Sequence, residues 1–286
     1  MDIVEKIGLG TVQFGLDYGI NNKFGRVKEN EVQKILNYAL SKGIDLIDTA
    51  YSYGESETVL GRFSGLGHFK VVSKFPKDLD PGIAIDISLK RLKIERFYGY
   101  LCHHFESLKN NLAVWGKVLD LKDRGLTEKV GFSLYFLDEL DFLLEKFIEF
   151  DLIQVPYNIF DRRFEGYFCA LRDRGVEIHV RSVFLQGLFF VEVDGLPEFF
   201  YPVREKIKEI QQISRDLGIP LERLLLSWAL SNECVDRVIV GVDSFDQFKK
   251  NTDLDDSIVE KVRSIDWDYF KEDDEKIILP VNWRFN

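Results

Sequence analysis

Val32-Gln33-Lys34-Ile35-Leu36-Asn37-Tyr38-Ala39-Leu40-Ser41-Lys42-Gly43-Ile44-Asp45-Leu46-Ile47-Asp48-Thr49-Ala50 joins two periodicities through one glycine. Val32, Ile35, Leu36, Ala39 and Leu40 recur at i, i+3, i+4, i+7 and i+8, the spacing of one buried helix face. Lys42-Gly43 follows, and a glycine just past a helix accepts the left-handed conformation that stops it. Ile44–Ala50 is then a short apolar run, which reads as a strand buried on both faces.

The same order returns further along. A helix with Leu112, Trp115, Val118 and Leu119 leads to Arg124-Gly125 and the run Val130-Gly131-Phe132. Another with Phe164, Phe168 and Leu171 leads to Arg174-Gly175 and the strand Val176–Val180. Apolar runs near 6–11, 45–50, 69–74, 97–102, 129–132, 152–155, 176–181 and 237–240 give eight strands separated by helical patterns. That alternation implies parallel strands, and eight units predict an α/β fold, a (β/α)8 TIM barrel forming a single domain over residues 1–286. The competing fold, an open doubly wound sheet, asks for G-x-G-x-x-G after the first strand. Gly8-Leu9-Gly10-Thr11-Val12-Gln13-Phe14-Gly15 has the wrong spacing for it. The irregular stretch 182–202 is long enough to be functional, and the acidic tail Asp266–Asn286 reads as an appended segment.

Composition narrows the partners. Hydrophobic residues at 45 % and aromatics at 14 % of 286 residues supply a sizeable core and exclude a disordered chain. A net charge of −10 argues against nucleic acid and anionic membranes as partners. It leaves room for a small anionic ligand, for which a few arginines suffice. Cys102, Cys169 and Cys234 are far apart and odd in number, with no CxxC pair, so neither a disulfide frame nor a zinc site is expected. The first residues, Met1 to Lys6, do not read as a signal peptide, and no apolar run approaches a membrane span. These features predict a reduced, soluble, cytoplasmic protein without a metal; nothing in the pattern speaks to oligomeric state.

Barrel enzymes place their chemistry at the C-terminal ends of strands. Here strand two ends at Asp48, strand three at Lys74 and strand four at His103-His104, and Tyr53 lies five residues past Asp48. Each has a plain structural role available: a helix cap, a surface lysine, loop packing. Their occurrence on three consecutive strands points to a site. Reducing a carbonyl requires a hydride on carbon and a proton on oxygen. A phenol is a weak acid near neutrality, and Lys74, held charged by Asp48, is expected to lower the pKa of Tyr53. His103 would aim the carbonyl oxygen at the phenol.

Gly43-Ile44-Asp45-Leu46-Ile47-Asp48-Thr49-Ala50-Tyr51-Ser52-Tyr53-Gly54-Glu55 resembles the signature of the aldo-keto reductases. The resemblance implies catalytic roles for Asp48 and Tyr53, for Lys74 in Val71-Val72-Ser73-Lys74, and for His103 in Tyr100-Leu101-Cys102-His103, with His104 as competitor. It implies a cofactor track through Gly10, Thr11, Asp48, Ser133, Gln154, Arg181, Ser182 and Gly187, and on through Gly241, Ser244, Gln247 and Asn251. Two positions depart from the family's pattern. Leu134 stands where an asparagine is usual, and Arg181 where many members stack an aromatic on the nicotinamide. An arginine there can stack, reach a phosphate or meet an acidic substrate. The family leans to NADP(H). Asp243 and Asp246 occupy a segment where members preferring NADPH often carry Lys and Arg, which keeps NAD(H) open; Lys249 or Lys250 would compensate.

The resemblance thus implies a reductase acting on a small-molecule aldehyde or ketone. Tyr51, Tyr53, His104, Phe105, Tyr157, Arg162, Arg163 and Arg181 form a candidate rim suited to a sugar or an acidic carbonyl compound. Two rival readings are a cofactor-binding sensing subunit with little catalysis and an unrelated barrel lyase using Lys74 as a Schiff base. Asp48 argues against the second, because it holds the amine charged.

Overall fold

The computed structural model describes residues 3–20, 22 and 25–283; Met1, Asp2 and the last three residues of the tail lie outside the described residues. Eight parallel strands close in sequence order: β1 (Ile7–Gly10), β2 (Leu46–Asp48), β3 (Lys70–Phe75), β4 (Phe97–Cys102), β5 (Thr127–Ser133), β6 (Leu152–Pro156), β7 (Glu177–Arg181) and β8 (Arg237–Gly241). Closure falls at Gly10, which registers with Asp48 on one side and Gly241 on the other. The expected (β/α)8 barrel is thus what the chain forms. Gly43, Gly125 and Gly175, which close the three repeats of the helix–basic–glycine pattern, all have positive φ, at 74°, 75° and 80°. The helix Glu29–Ser41 buries Val32, Ile35, Leu36 and Ala39.

Register and pleat sort the barrel interior into three layers, since alternate residues of each strand face inward. The middle layer is apolar: Leu46, Val72, Leu101, Leu152 and Ile239 form their own cluster. Toward the C-terminal ends lie Asp48, Lys74, His103, Ser133, Gln154 and Arg181. Toward the N-terminal ends the interior is charged again. Glu177 accepts from the Tyr98 hydroxyl at 2.6 Å, pairs with Lys129 and lies 2.8 Å from His179 Nε2. Asp45 pairs with Lys70 at 2.9 Å and with Arg237 at 2.8 Å. The outward faces of the strands join the helices in one continuous core.

Four expectations change. The helix Ala113–Asp123 buries Trp115, Val118 and Leu121, leaving Leu112 and Leu119 exposed; its inner stripe follows a three-residue spacing. The stretch 182–202 is not structureless, since it winds into 3-10 turns at Leu185–Phe190, Val193–Gly195 and Glu198–Val203. The tail is no appendage: Trp267, Phe270, Ile277, Ile278 and Leu279 are buried, and Trp283 packs on Phe200. Its acidic residues hid a set of core anchors. Finally, Cys169 and Cys234 form a disulfide, with Cα atoms 5.3 Å apart and 65 residues between them in sequence. The helix Phe168–Asp173 and the segment before β8 meet on the outside of the barrel, a juxtaposition that cysteine spacing does not reveal. The cysteine argument for a reduced protein therefore falls; Cys102 alone is free and is buried. Among the described residues no helix is long and apolar enough to cross a membrane.

Candidate active site

Asp48 and Lys74 come from adjacent strands whose register sets Asp48 beside Val72, two residues before Lys74. Lys74 Nζ donates to Asp48 Oδ1 at 2.7 Å, to Oδ2 at 2.8 Å and to the Thr49 carbonyl at 2.9 Å. All three ammonium donors are thereby used. Gln154 reaches across from β6, its Nε2 donating to Asp48 Oδ2 at 2.7 Å. All three side chains are buried. Burial pulls the Lys74 amine below its usual pKa, and Asp48 opposes the shift.

Tyr53 sits in a turn pinned from below. Its amide donates to the Ala50 carbonyl, and its own carbonyl accepts from Ser56. The Ser56 hydroxyl bonds Thr11, whose hydroxyl donates to the Asp48 carbonyl at 3.0 Å. Thr11 is fully buried and committed to this brace. The turn carries Tyr53 to the mouth, with the Lys74 ammonium 5.1 Å from its ring centroid. The His103 ring meets it edge-on at 5.7 Å. His104 instead stands behind His103, 4.7 Å between ring centroids.

The electrostatics differ from expectation in one respect. Lys74 does not depress the tyrosine pKa. Burial first, and the Asp48 carboxylate second, hold the Tyr53 phenol well above its ordinary value; Arg181 is the cation that opposes them. The reason is geometric: Lys74 is neutralised by a bidentate carboxylate and has no donor left for the phenol. Burial, reinforced by Lys74, His104 and Arg181, pushes His103 down to about 2, so its imidazole is neutral, and its Nδ1 is buried without a partner.

The remaining predicted residues divide. Ser133 registers with Gln154, and Gln154 Oε1 is buried without a partner. Arg181, at the end of β7, donates from Nη2 to the Leu134 carbonyl at 3.1 Å and stacks 4.1 Å from the Tyr135 ring centroid. Ser182 and Gly187 begin and end a turn with four positive φ values, at Ser182, Leu185, Gln186 and Gly187. Ser244 caps the helix Phe245–Asn251, accepting from the Gln247 amide, and Gln247 Oε1 accepts from the Asp243 amide at 2.6 Å. Asn251 is buried with Nδ2 unpartnered, and Asp243 keeps Oδ1 unpartnered in a half-buried carboxyl whose pKa burial raises.

Much of the expected rim is not brought together. The Tyr157 hydroxyl is spent on Glu165 and Asn232, under Trp228. Arg162 pairs with Glu165 and Asp268, and Arg163 with Asp161 and Glu275. Tyr51 lies under the Arg91 guanidinium, and Phe105 packs on Phe142. Two mouth residues went unread. Tyr135 follows β5 by two residues, and Tyr18, in the loop after β1, accepts from Gln186 Nε2 at 2.9 Å. Position just past a strand end was the available signal for Tyr135; the Tyr18–Gln186 contact joins loops 168 residues apart.

A family model described as the aldo/keto reductase family matches residues 6–259. An L-galactose dehydrogenase from Arabidopsis thaliana is 24 % identical over 92 % of this chain and 93 % of its own length. An aldo-keto reductase from Mycolicibacterium vanbaalenii is 33 % identical over 41 % of this chain and 45 % of its own. Among solved structures, an aldo-keto reductase from Bacillus halodurans in its holo form has the same fold, with a TM-score of 0.71 at 22 % identity, covering 90 % of this chain and 91 % of that one.

Proposed function

From the premise that this chain belongs to the aldo/keto reductase family, an NAD(P)H-dependent oxidoreductase family acting on carbonyl compounds, we propose how its own residues carry the reaction. The observation that carries the proposal is the convergence of Asp48, Lys74, Gln154, Tyr53 and His103 at one mouth. A bound nicotinamide would supply the hydride. Tyr53 holds its proton at Oη through the neutral range, because burial and Asp48 disfavour the phenolate, and gives it up only when negative charge develops on the substrate oxygen. Lys74 keeps a fixed positive charge under the ring while Asp48 and Gln154 hold it in place. His103 is neutral and donates one N–H to the carbonyl oxygen, fixing its direction.

The residues present fit a nicotinamide. Gln154 Oε1, buried and unpartnered beside Ser133, matches the amino donor of a carboxamide. Leu134, in place of the usual asparagine, offers no side-chain contact of that kind. The family resemblance favours NADP(H). One observation favours NAD(H): Asp243 presents an unpartnered carboxylate oxygen, which accepts from a ribose hydroxyl and repels a 2′-phosphate. The substrate is an aldehyde or ketone of sugar or acidic type.

Fluorescence titration with NADPH and NADH, followed by absorbance at the reduced-nicotinamide band with a carbonyl panel, tests this reading. Binding with turnover supports it, and the ratio of the two dissociation constants decides the nucleotide. Binding without turnover moves the chain to the sensing-subunit reading. A Lys74 Schiff base is disfavoured by the same geometry: the amine is buried and triply hydrogen-bonded.

A further inference from the structure

Charge at the mouth does not cancel. Lys74 and Asp48 neutralise each other, and His103 is neutral. Arg181 is left over. It is half-buried, and among the described residues it has no carboxylate within ion-pair distance, whereas Arg162, Arg163 and Arg237 all do. Glu139 lies close enough to feel its charge, yet Glu139 Oε2 is taken up by the Tyr135 and Phe136 amides. Arg181 is held flat by Tyr135 at 4.1 Å, and its bonds to the Leu134 carbonyl and to Ser182 Oγ, the latter a long 3.4 Å, use only part of its donor fork. Its charge reaches Tyr53, Lys74 and His103.

A guanidinium taken partly out of water without a counter-ion is unfavourable unless something completes it. Stacking pre-organises the fork, so a planar oxyanion is met at little further entropic cost. We propose that Arg181, backed by Tyr135, anchors a carboxylate or phosphate on the carbonyl substrate, making it a specificity-determining residue and the substrate an oxo acid or a phosphorylated aldehyde or ketose. This rests on the reading that carbonyls are reduced at Tyr53. Arg181 spans from β7 to the carbonyl after β5, over the Gln154 strand, at the same C-terminal end of the barrel as Tyr53 and His103, both of which feel its charge.

The test compares pairs that differ in the anionic group: succinic semialdehyde against butanal for a carboxylate, and glyceraldehyde 3-phosphate against glyceraldehyde for a phosphate. Wild-type protein is expected to favour the anionic member of one pair by about thirty-fold or more in kcat/KM, as a charge-assisted hydrogen-bonded pair provides. The pair showing the preference identifies the anion. Arg181→Gln should collapse that ratio toward unity through KM, and Arg181→Lys should recover part of it, keeping charge but losing the fork. A second arm needs no turnover: calorimetric titration of the oxidised holoenzyme with succinate and with inorganic phosphate, expecting binding that Arg181→Gln abolishes. A ratio near unity in the wild type overturns the proposal while leaving the reductase reading intact. So does a ratio unmoved by Arg181→Gln with a raised cofactor dissociation constant, which assigns Arg181 to the cofactor. Arg181-dependent anion binding without reduction of any carbonyl sustains the anion site and removes the reductase reading.

Discussion

The two polar layers of the barrel are built from the same residue types and end differently. At the N-terminal end Glu177 gathers Tyr98, Lys129 and His179, and Asp45 gathers Lys70 and Arg237. Every charge there has an opposite charge beside it; Nδ1 of His179 and Oδ1 of Asp45 are the atoms left without a hydrogen bond, the latter 2.8 Å from the Arg237 guanidinium. At the C-terminal end Asp48 and Lys74 are matched just as tightly, but His103 Nδ1, Gln154 Oε1 and the Arg181 cation are not. Five apolar side chains separate the layers. A polar layer whose charges all pair internally spends them on folding, whereas one that keeps an unpaired cation beside unpartnered polar atoms is completed by something that binds. This is the division expected of barrel enzymes, stability at one face and chemistry at the other.

The largest effect expected of any single change is at Tyr53. Tyr53→Phe removes one hydroxyl that has no hydrogen-bond partner among the described residues, so the melting temperature and the cofactor dissociation constant should hold, while kcat falls by about 10³-fold or more, within the range of general-acid contributions. Steady-state kinetics beside a thermal melt reads both. A variant within ten-fold of wild-type turnover would break the contrast, because the open layer would then contain no essential proton donor.

The converse change is Glu177→Gln. Burial alone would raise the Glu177 pKa, but hydrogen bonds from His179, Lys129 and Tyr98 win and hold it well below the usual carboxylate range. Removing its charge leaves Lys129 and His179 facing a neutral amide. Losing one partner of a buried pair costs about 3–5 kcal/mol; Lys129 keeps some contact with solvent, so about 2 kcal/mol is expected here. Urea unfolding should show a lower midpoint with an unchanged slope, and turnover per folded molecule should stay within two-fold. Turnover lost without lost stability would mean that the lower layer acts on the upper one through the apolar layer between them.

How far each layer could be read from sequence follows from the same contrast. Strand positions were legible because outward residues such as Ile47, Val71 and Ile153 make apolar runs, and Gly43, Gly125 and Gly175 punctuate them. Asp48, Lys74 and His103 were legible because they sit at strand ends, where position alone assigns a face. Lys129, Glu177 and His179 were not, because a charge inside a short strand reads as a solvated edge until closure turns it inward. Tyr18 with Gln186, and Cys169 with Cys234, meet through the winding of the barrel, which no local period encodes. The tail misled for a related reason: Trp267, Phe270 and Ile278 are spaced among acidic residues without a helical stripe.

The smallest expected effect is the response to pH between 6 and 8, and it tests both layers together. In the upper layer His103 is held neutral down to about pH 2 by burial and by Lys74, His104 and Arg181, and Tyr53 keeps its proton because its pKa is raised. Neither changes charge in this window, so kcat should vary by less than about two-fold with no limb near the ordinary histidine value of about 6.5. In the lower layer the depressed Glu177 pKa has a definite sign. Its contribution to stability is fully present above the unfolded carboxylate value of about 4.3 and is lost progressively as pH falls from there toward the folded value. Denaturation midpoints should therefore be level from pH 6 to 8 and decline below about pH 4.5, and Glu177→Gln should flatten that decline. An activity limb near pH 6.5 that disappears in His103→Asn would show that the imbalance of charge at the mouth is smaller than the geometry implies. A wild-type acid decline that Glu177→Gln leaves untouched would show that the lower layer is not where acid first opens the barrel.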